Sequence, residues 1–208
     1  MSGVAWSPHS TSWTNCDVNE PLQTTLADAA GWLRSQNVRF ALVGGLAASL
    51  RGQTRTTADV DMIIAADAKR AMALAESLDA SPFKPLFHDF ARVVETSLIL
   101  PLRHRSTNIK LDLALGISGF EQQAIARAEI VEMAGTTVPV VSGEDLLIMK
   151  VLAGRPQDDQ DVRGLVIAQG DRLDWEYCLR VGGELGEAIG QDLVGRIRIL
   201  RGALDQDL

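Results

Sequence analysis

Apolar residues recur at helical spacing along much of the chain. After Pro21, the side chains of Leu22, Leu26 and Leu33 fall on one face, which predicts a helix over residues 21–35. The same spacing, together with capping residues, predicts further helices over residues 46–51, 67–78, 120–127, 142–153 and 157–169, and two more between residues 173 and 204.

Shorter apolar or alternating runs predict strands between these helices. The run at residues 40–43 ends at Gly44 and Gly45, which is typical of a buried strand entering a tight turn. Alternation around Gly135 predicts a small hairpin. The strands are predicted over residues 40–43, 60–65, 91–100 and 107–115, with a connecting turn at 101–108 and the hairpin at 129–141.

Strands in the first two-thirds of the chain and helices in the last third predict an α+β (α/β) fold with a small mixed sheet flanked by helices. Residues 1–20 are polar, carry Trp6 and Trp13, and predict an N-terminal arm. Residues 21–141 would then form the core and residues 142–208 a helical C-terminal part.

Composition excludes several classes of protein. The 208 residues include 27 acidic and 20 basic side chains, so the net charge of −7 does not favour a general nucleic-acid coat. No apolar run reaches the ~18 residues that a membrane span needs, so we expect no membrane partner and a cytoplasmic location. Cys16 and Cys178 lie far apart, which disfavours a cysteine zinc site.

Positive charge is nevertheless uneven along the chain. Residues 91–110 contain four basic side chains against one acidic side chain, Glu95. This segment is either a solvated turn or a contact for RNA on the acceptor side of a site. Its basic residues are Arg92, Arg103, Arg105 and Lys110.

Three carboxylates are the strongest candidates for chemistry. Asp59 and Asp61 stand two apart on a predicted strand, so their side chains share one face. Adjacent carboxylates repel unless a cation lies between them, and Mg²⁺ prefers such oxygen ligands. Asp112, on the polar face of another predicted strand, completes the cluster if the two strands are neighbours.

The spacing of these residues resembles a known signature. Residues 43–62 contain a hydrophobic residue, Gly44 and Gly45, a thirteen-residue spacer and then Asp59-Val-Asp61-Met, which resembles the polymerase-beta-like nucleotidyltransferase superfamily. The longer form from Arg55 to Asp61 is similar to AbiEii-type toxins and minimal nucleotidyltransferases. So are the stretches at residues 142–150 and 155–162.

The resemblance implies transfer of a nucleotide from an NTP to an acceptor, with release of pyrophosphate. It implies that Asp59, Asp61 and Asp112 bind two Mg²⁺ ions and form the catalytic centre, with Asp112 also a candidate base. The residues expected to bind the nucleotide are Gly44, Gly45, Ser49, Arg55 and Lys150. For Lys150, an ordinary helix-surface lysine is the alternative.

The acceptor stays open at this level. A toxin–antitoxin or abortive-infection enzyme would modify a macromolecule, tRNA or protein, and would have a cognate antitoxin as a partner. A small-molecule acceptor such as an aminoglycoside is the second possibility. A noncatalytic nucleotide-binding module is the third, although such a module would have less reason to keep both Asp59 and Asp61.

Overall fold

A computed structural model describes residues 19–52, 56–133 and 135–202. Within these residues, helices and strands alternate and form nine α-helices and a seven-stranded sheet. In chain order the elements are α1 (Glu20–Ser35), β1 (Phe40–Leu42), α2 (Gly44–Arg51), β2 (Asp59–Ile64), α3 (Ala68–Glu76), β3 (Phe83–Pro85), α4 (Phe90–Ser97), β4 (Ile99–His104), β5 (Lys110–Leu115), α5 (Gly119–Arg127), β6 (Glu129–Met133), β7 (Thr136–Val140), α6 (Gly143–Ala153), α7 (Pro156–Gln169), α8 (Trp175–Ile189) and α9 (Leu193–Gly202).

The sheet is mixed, and its strand order is β3-β4-β5-β2-β1-β7-β6. Strand β2 runs parallel to β5, and β1 runs parallel to β7. The remaining neighbours pair antiparallel, including the predicted hairpin of β6 and β7. The α+β prediction, a small mixed sheet with flanking helices and a helical C-terminal part, is confirmed.

Alternation along β5 gives the sheet two different faces. Leu111, Leu113 and Leu115 are buried. The residues that alternate with them, including Lys110 and Asp112, are only partly covered. Because successive strand residues point to opposite faces, the leucines pack into the core and the charged residues line the other face. We call this second face, with Lys110, Asp112 and their neighbours on adjacent strands, the open face.

The region between β2 and β5 differs from the prediction. The predicted strand at residues 91–100 is wrong, because α4 occupies Phe90–Ser97 and ends where Leu98 takes a left-handed conformation (φ 55°). The predicted turn at residues 101–108 is also wrong in its first half, since β4 runs from Ile99 to His104. Strand β3 was not predicted.

Two hydrophobic clusters hold the helices in place. The larger one joins the buried face of the sheet to α1, through residues such as Leu26 and Leu33. The smaller one lies among α6, α7, α8 and α9 and includes Ile148, Val162 and Cys178. Helix α6 contributes to both clusters, so the proposed boundary at residue 141 stays a prediction. The N-terminal arm also stays a prediction, because most of it lies outside the described residues. Over the described part of the chain, no helix has the length and apolar character needed to cross a membrane.

Candidate active site

The three predicted carboxylates come together on the open face of the sheet. Asp59 and Asp61 lie on β2, and Asp112 lies on the adjacent parallel strand β5, where it is directly paired with Asp61. Residues paired in this way point to the same face, so two of the three carboxylates stand side by side. Asp59, one row away, is paired with Lys110.

Gly44 and Gly45 bring the first turn of α2 against Asp61. Gly44 has a left-handed backbone (φ 66°), and a Cβ atom at this position would collide with the Asp61 carboxylate. The N–H of Gly45 donates a hydrogen bond to that carboxylate, and the Val43 N–H donates to the Asp61 carbonyl oxygen at 3.0 Å. The glycine pair therefore fixes the Asp61 backbone and side chain together.

Electrostatic repulsion is concentrated on Asp61. Burial, and then the nearby charges of Asp59 and Asp112, raise the pKa of Asp61 from 3.8 to about 6, while Gly45 and Lys110 oppose the shift. A carboxylate whose charge is this unfavourable in the ligand-free protein needs a compensating cation. The observation agrees with the chemistry expected of a metal-binding aspartate.

Lys110 and Thr57 orient the other two carboxylates. The Lys110 ammonium donates to Oδ2 of Asp112 at 2.5 Å, and the Thr57 hydroxyl donates to Oδ1 of Asp59 at 3.2 Å. The second oxygen of Asp112, Oδ1, is buried and has no hydrogen-bond partner. An orphaned carboxylate oxygen of this kind is costly unless something else binds it.

The residues present fit a divalent cation. Within residues 19–52, 56–133 and 135–202, no three His, Cys, Asp or Glu side chains are grouped tightly enough to form a metal site as they stand. The free Oδ1 of Asp112 and the repelled charge of Asp61 are nevertheless the donor chemistry that Mg²⁺ uses.

The nucleotide-binding candidates are distributed unevenly around this cluster. Ser49 lies on α2, one turn after Gly45, and is buried. Arg55 falls outside the described residues. Lys150 is not the predicted alternative of a surface lysine, because it is buried and its ammonium binds Asp158 at 3.0 Å and Asp161 at 2.7 Å. Its proposed role with the nucleotide stays a prediction.

Arg155, at the start of α7, is a charged residue beside the site that sequence reasoning did not select. Its guanidinium donates to both oxygens of Asp158, at 2.7 and 3.1 Å, yet most of the side chain is exposed. The hydrogen bond with Asp158 raises the pKa of Arg155, and the charge of Asp61 contributes in the same direction. Arg155 is thus an electrostatic neighbour of the carboxylate cluster.

Comparison with protein families places this site in a known context. Residues 22–184 match the model of a family described as nucleotidyltransferases of unknown function (DUF6036). The chain belongs to this family. The enzyme is therefore a nucleotidyltransferase, as the signature at residues 43–62 predicted. A comparison with curated proteins finds no match.

Solved structures of other nucleotidyltransferases resemble the enzyme. An antigenic nucleotidyltransferase-like protein from Paracoccidioides brasiliensis is 22% identical over 71% of this chain and 75% of its own, with a TM-score of 0.50. This likeness supports the shared fold. Lincomycin-bound lincosamide antibiotic adenylyltransferase LnuA is 18% identical over 71% of this chain and 96% of its own, with a TM-score of 0.47. A CCA-adding enzyme with ATP is 12% identical over 82% of this chain and 48% of its own, with a TM-score of 0.37.

Two residues of the enzyme's site, Lys110 and Arg155, were not among the predicted site residues. Lys110 carries a detectable signal, because it stands two positions before Asp112 on an alternating strand and must share its face. Arg155 carries no comparable signal, since its proximity to Asp61 depends on how α7 packs against α2.

Proposed function

We propose that the enzyme transfers a nucleoside monophosphate from an NTP to a hydroxyl of a macromolecular acceptor, tRNA or protein. The observation that supports this most directly is the pairing of Asp61 with Asp112 on neighbouring parallel strands, with Gly45 bonded to Asp61. This arrangement sets carboxylates beside the N-terminus of α2, and helix N-termini favour anions such as phosphate groups.

In this proposal, Asp59, Asp61 and Asp112 hold two Mg²⁺ ions. Bound magnesium would neutralise the triphosphate and stabilise the attacking and leaving oxygens of an in-line displacement. Gly44 and Gly45 would lie against the triphosphate, and Ser49 and the motif residue Arg55 are the further candidates for nucleotide binding. Arg155, whose pKa the charge of Asp61 helps to raise, would add positive charge to the region of the carboxylates.

The proposed transfer forms one bond to phosphorus and breaks another. The acceptor oxygen forms a bond to the α-phosphorus, the bond from that phosphorus to the bridging oxygen breaks, and pyrophosphate leaves. The hydroxyl proton passes to the carboxylate of Asp112, whose Oδ1 accepts no hydrogen bond from the described residues. Lys110 holds the opposite oxygen of the same carboxylate and so fixes its orientation.

A macromolecular acceptor is favoured over an aminoglycoside by charge. Aminoglycosides are cationic, and Lys110 and Arg103 on the open face lie next to the carboxylates. The toxin–antitoxin role, with a cognate antitoxin as partner, rests on the AbiEii-type motif from Arg55 to Asp61 and is part of the proposal.

The test incubates the purified enzyme with each labelled NTP, Mg²⁺ and either total RNA or cell lysate. We expect label to enter RNA or protein, and we expect Asp61→Asn and Asp112→Asn to reduce it to background. Asp171→Asn is the matched control, because Asp171 is exposed and lies outside the site. Equal labelling by Asp61→Asn and the unaltered enzyme would refute the assignment of the carboxylates, and label in an added aminoglycoside alone would refute the macromolecular acceptor.

A further inference from the structure

Basic side chains on the open face form one row that crosses the sheet. Lys84 on β3 is paired with Arg103 on β4, Arg103 is paired with Lys110 on β5, and Lys110 is paired with Asp59 on β2. Paired residues on neighbouring strands lie on the same face about 4.8 Å apart. We call Lys84, Arg103 and Lys110 the cation row; it starts at the sheet edge and ends at the carboxylates.

The cation row is unfavourable for the fold itself. Like charges directly opposite each other on neighbouring strands destabilise a sheet. In the part of the chain that the structure describes, neither Lys84 nor Arg103 forms an ion pair with a carboxylate; Arg103 donates only to the carbonyl of Asn108, at 2.8 Å. Lys84 is exposed. Lys110 is compensated by Asp112, at 2.5 Å. Lys84 and Arg103, which have no carboxylate partner among the described residues, are better explained by an anionic ligand than by folding.

The sheet places the cation row and the glycine pair on opposite sides of the carboxylates. Gly44 and Gly45 follow β1, which flanks β2 on one side, and the cation row runs through β5, β4 and β3 on the other. Phosphates of the NTP therefore belong with the glycines. The cation row lies on the Asp112 side of the cluster, away from the glycines.

We propose that the cation row binds the backbone phosphates of an RNA acceptor and directs its terminal hydroxyl to Asp112. This inference rests on the proposed function and names the acceptor class within it. Consecutive cations along a line match the repeated phosphates of a polynucleotide, whereas a folded protein acceptor would need complementary acidic residues at one fixed spacing. Lys110 belongs both to the row and to the catalytic cluster, through its bond to Asp112.

Only some of the basic residues in the segment at 91–110 belong to the cation row. Arg105 donates to the carbonyl oxygens of Ser81 and Leu78, so its guanidinium is held at the turn before β3. Arg92 lies on α4 and not on the sheet. Lys84, outside the segment at residues 91–110, joins the row through strand pairing alone.

The experiment measures binding without requiring catalysis. Fluorescence anisotropy follows a labelled single-stranded RNA with a free 3′ hydroxyl, for Lys84→Gln, Arg103→Gln and the double variant. Lys69→Gln and Arg198→Gln are matched controls, because both side chains are exposed and lie on helices. A fluorescent ATP analogue measures nucleotide binding by the same proteins.

We expect the double variant to bind RNA about tenfold more weakly at low salt, while the controls and binding of the ATP analogue are unchanged. The slope of log affinity against log salt should decrease by about 0.7 for each cation removed. In transfer assays, the variants should raise KM for RNA and leave KM for the NTP unaltered. Lys84 is exposed at the sheet edge, so Lys84→Gln provides a folded variant if Arg103→Gln misfolds.

Several results would overturn this inference without touching the proposed function. In the first, the enzyme binds no RNA, or the double variant binds RNA as tightly as the unaltered enzyme. In the second, the double variant loses binding of the ATP analogue and keeps binding of RNA. In the third, the label enters protein and the double variant labels protein equally well. The proposed function fails separately, if Asp61→Asn transfers label as well as the unaltered enzyme. RNA binding through the cation row can be judged in either case.

Discussion

Gly44 shows how one residue can meet a backbone requirement and a packing requirement together. Its left-handed conformation costs any other residue about 1–2 kcal/mol. Its missing side chain also leaves the space that the Asp61 carboxylate occupies. Gly135, in the turn between β6 and β7, has the same left-handed conformation (φ 73°) but open space around it. A comparison of substitutions at the two glycines therefore separates the cost of the left-handed backbone from the cost of displacing Asp61.

We predict that Gly135→Ala lowers the free energy of unfolding by about 1–2 kcal/mol. Gly44→Ala should lower it by more, because its methyl group also meets Asp61, and only Gly44→Ala should abolish nucleotide transfer. The reason is that an added methyl group at Gly44 must displace Asp61. Urea denaturation and the labelling assay provide the two measurements. Full transfer activity in Gly44→Ala would show that the position of Asp61 is not critical.

Sequence could predict Asp59 and Asp61 as a pair, because strand periodicity alone places residues two apart on one face. It could name Asp112 only as a candidate, because β2 and β5 are more than forty residues apart along the chain and their pairing cannot be read from local periodicity. The cation row was hidden for the same reason: Lys84 and Arg103 are brought together only by the register of β3 and β4.

At the scale of elements, the junction of α6 and α7 depends on a buried cation. The Lys150 ammonium binds the carboxylates of Asp158 and Asp161, and all three residues are buried. Removing one partner of a buried ion pair leaves an uncompensated charge, which typically costs about 3–5 kcal/mol.

We therefore predict that Lys150→Met lowers the free energy of unfolding by about 3–5 kcal/mol, whereas Lys69→Met, on the exposed face of α3, changes it by less than about 0.5 kcal/mol. The double variant Lys150→Met with Asp161→Asn should cost less than the sum of the single changes, since both changes remove the same ion pair. Equal costs for Lys150→Met and Lys69→Met would show that the ion pairs do not hold the junction.

The same junction predicts a dependence of stability on pH. Burial of Asp158 disfavours its charge, but the hydrogen bonds from Arg155 and Lys150 outweigh burial and lower the pKa of Asp158 below 3.8. The stabilisation is complete well above pH 3.8 and is lost as pH falls through the lower pKa of the folded state. We expect the stability difference between the unaltered enzyme and Asp158→Asn to shrink in that acidic range, as followed by denaturation at several pH values. A difference that grows on acidification would contradict the lowered pKa.

The mistaken strand at residues 91–100 has a physical cause. Val93, Val94 and Thr96 are β-branched and favour a strand by local propensity. In the structure, however, the only side chain of α4 that is fully buried is Val94, and Thr96 donates back to the carbonyl of Arg92. Pro101, the first residue of the predicted turn, lies within β4. The pairing of β4 with β3 ends at Leu102, opposite Pro85, so the missing N–H of Pro101 is tolerated.

For the whole molecule, the smaller hydrophobic cluster seals Cys178 from solvent. The thiol is fully buried on α8, and burial, with the charges of Glu144 and Asp174, raises the pKa of Cys178 to about 12. Because the thiolate is the form that attacks thiol reagents, this cysteine should be inert in the folded enzyme.

We predict that in a Cys16→Ser variant the remaining thiol reacts with a disulfide reagent only as fast as the C-terminal helices open. Guanidinium at denaturing concentration should release the full thiol signal, and native conditions should not. Rapid stoichiometric reaction under native conditions would mean that the cluster around Cys178 is loose.

The register of β5 against β2 also decides what a misfolded copy of the enzyme can do. A slip of one residue would turn Lys110 and Asp112 into the core and push Leu111 and Leu113 onto the open face. Such a chain would lose its carboxylate cluster and would at the same time expose an apolar surface. A molecule misfolded in this way would therefore be inactive and prone to aggregate for one and the same reason.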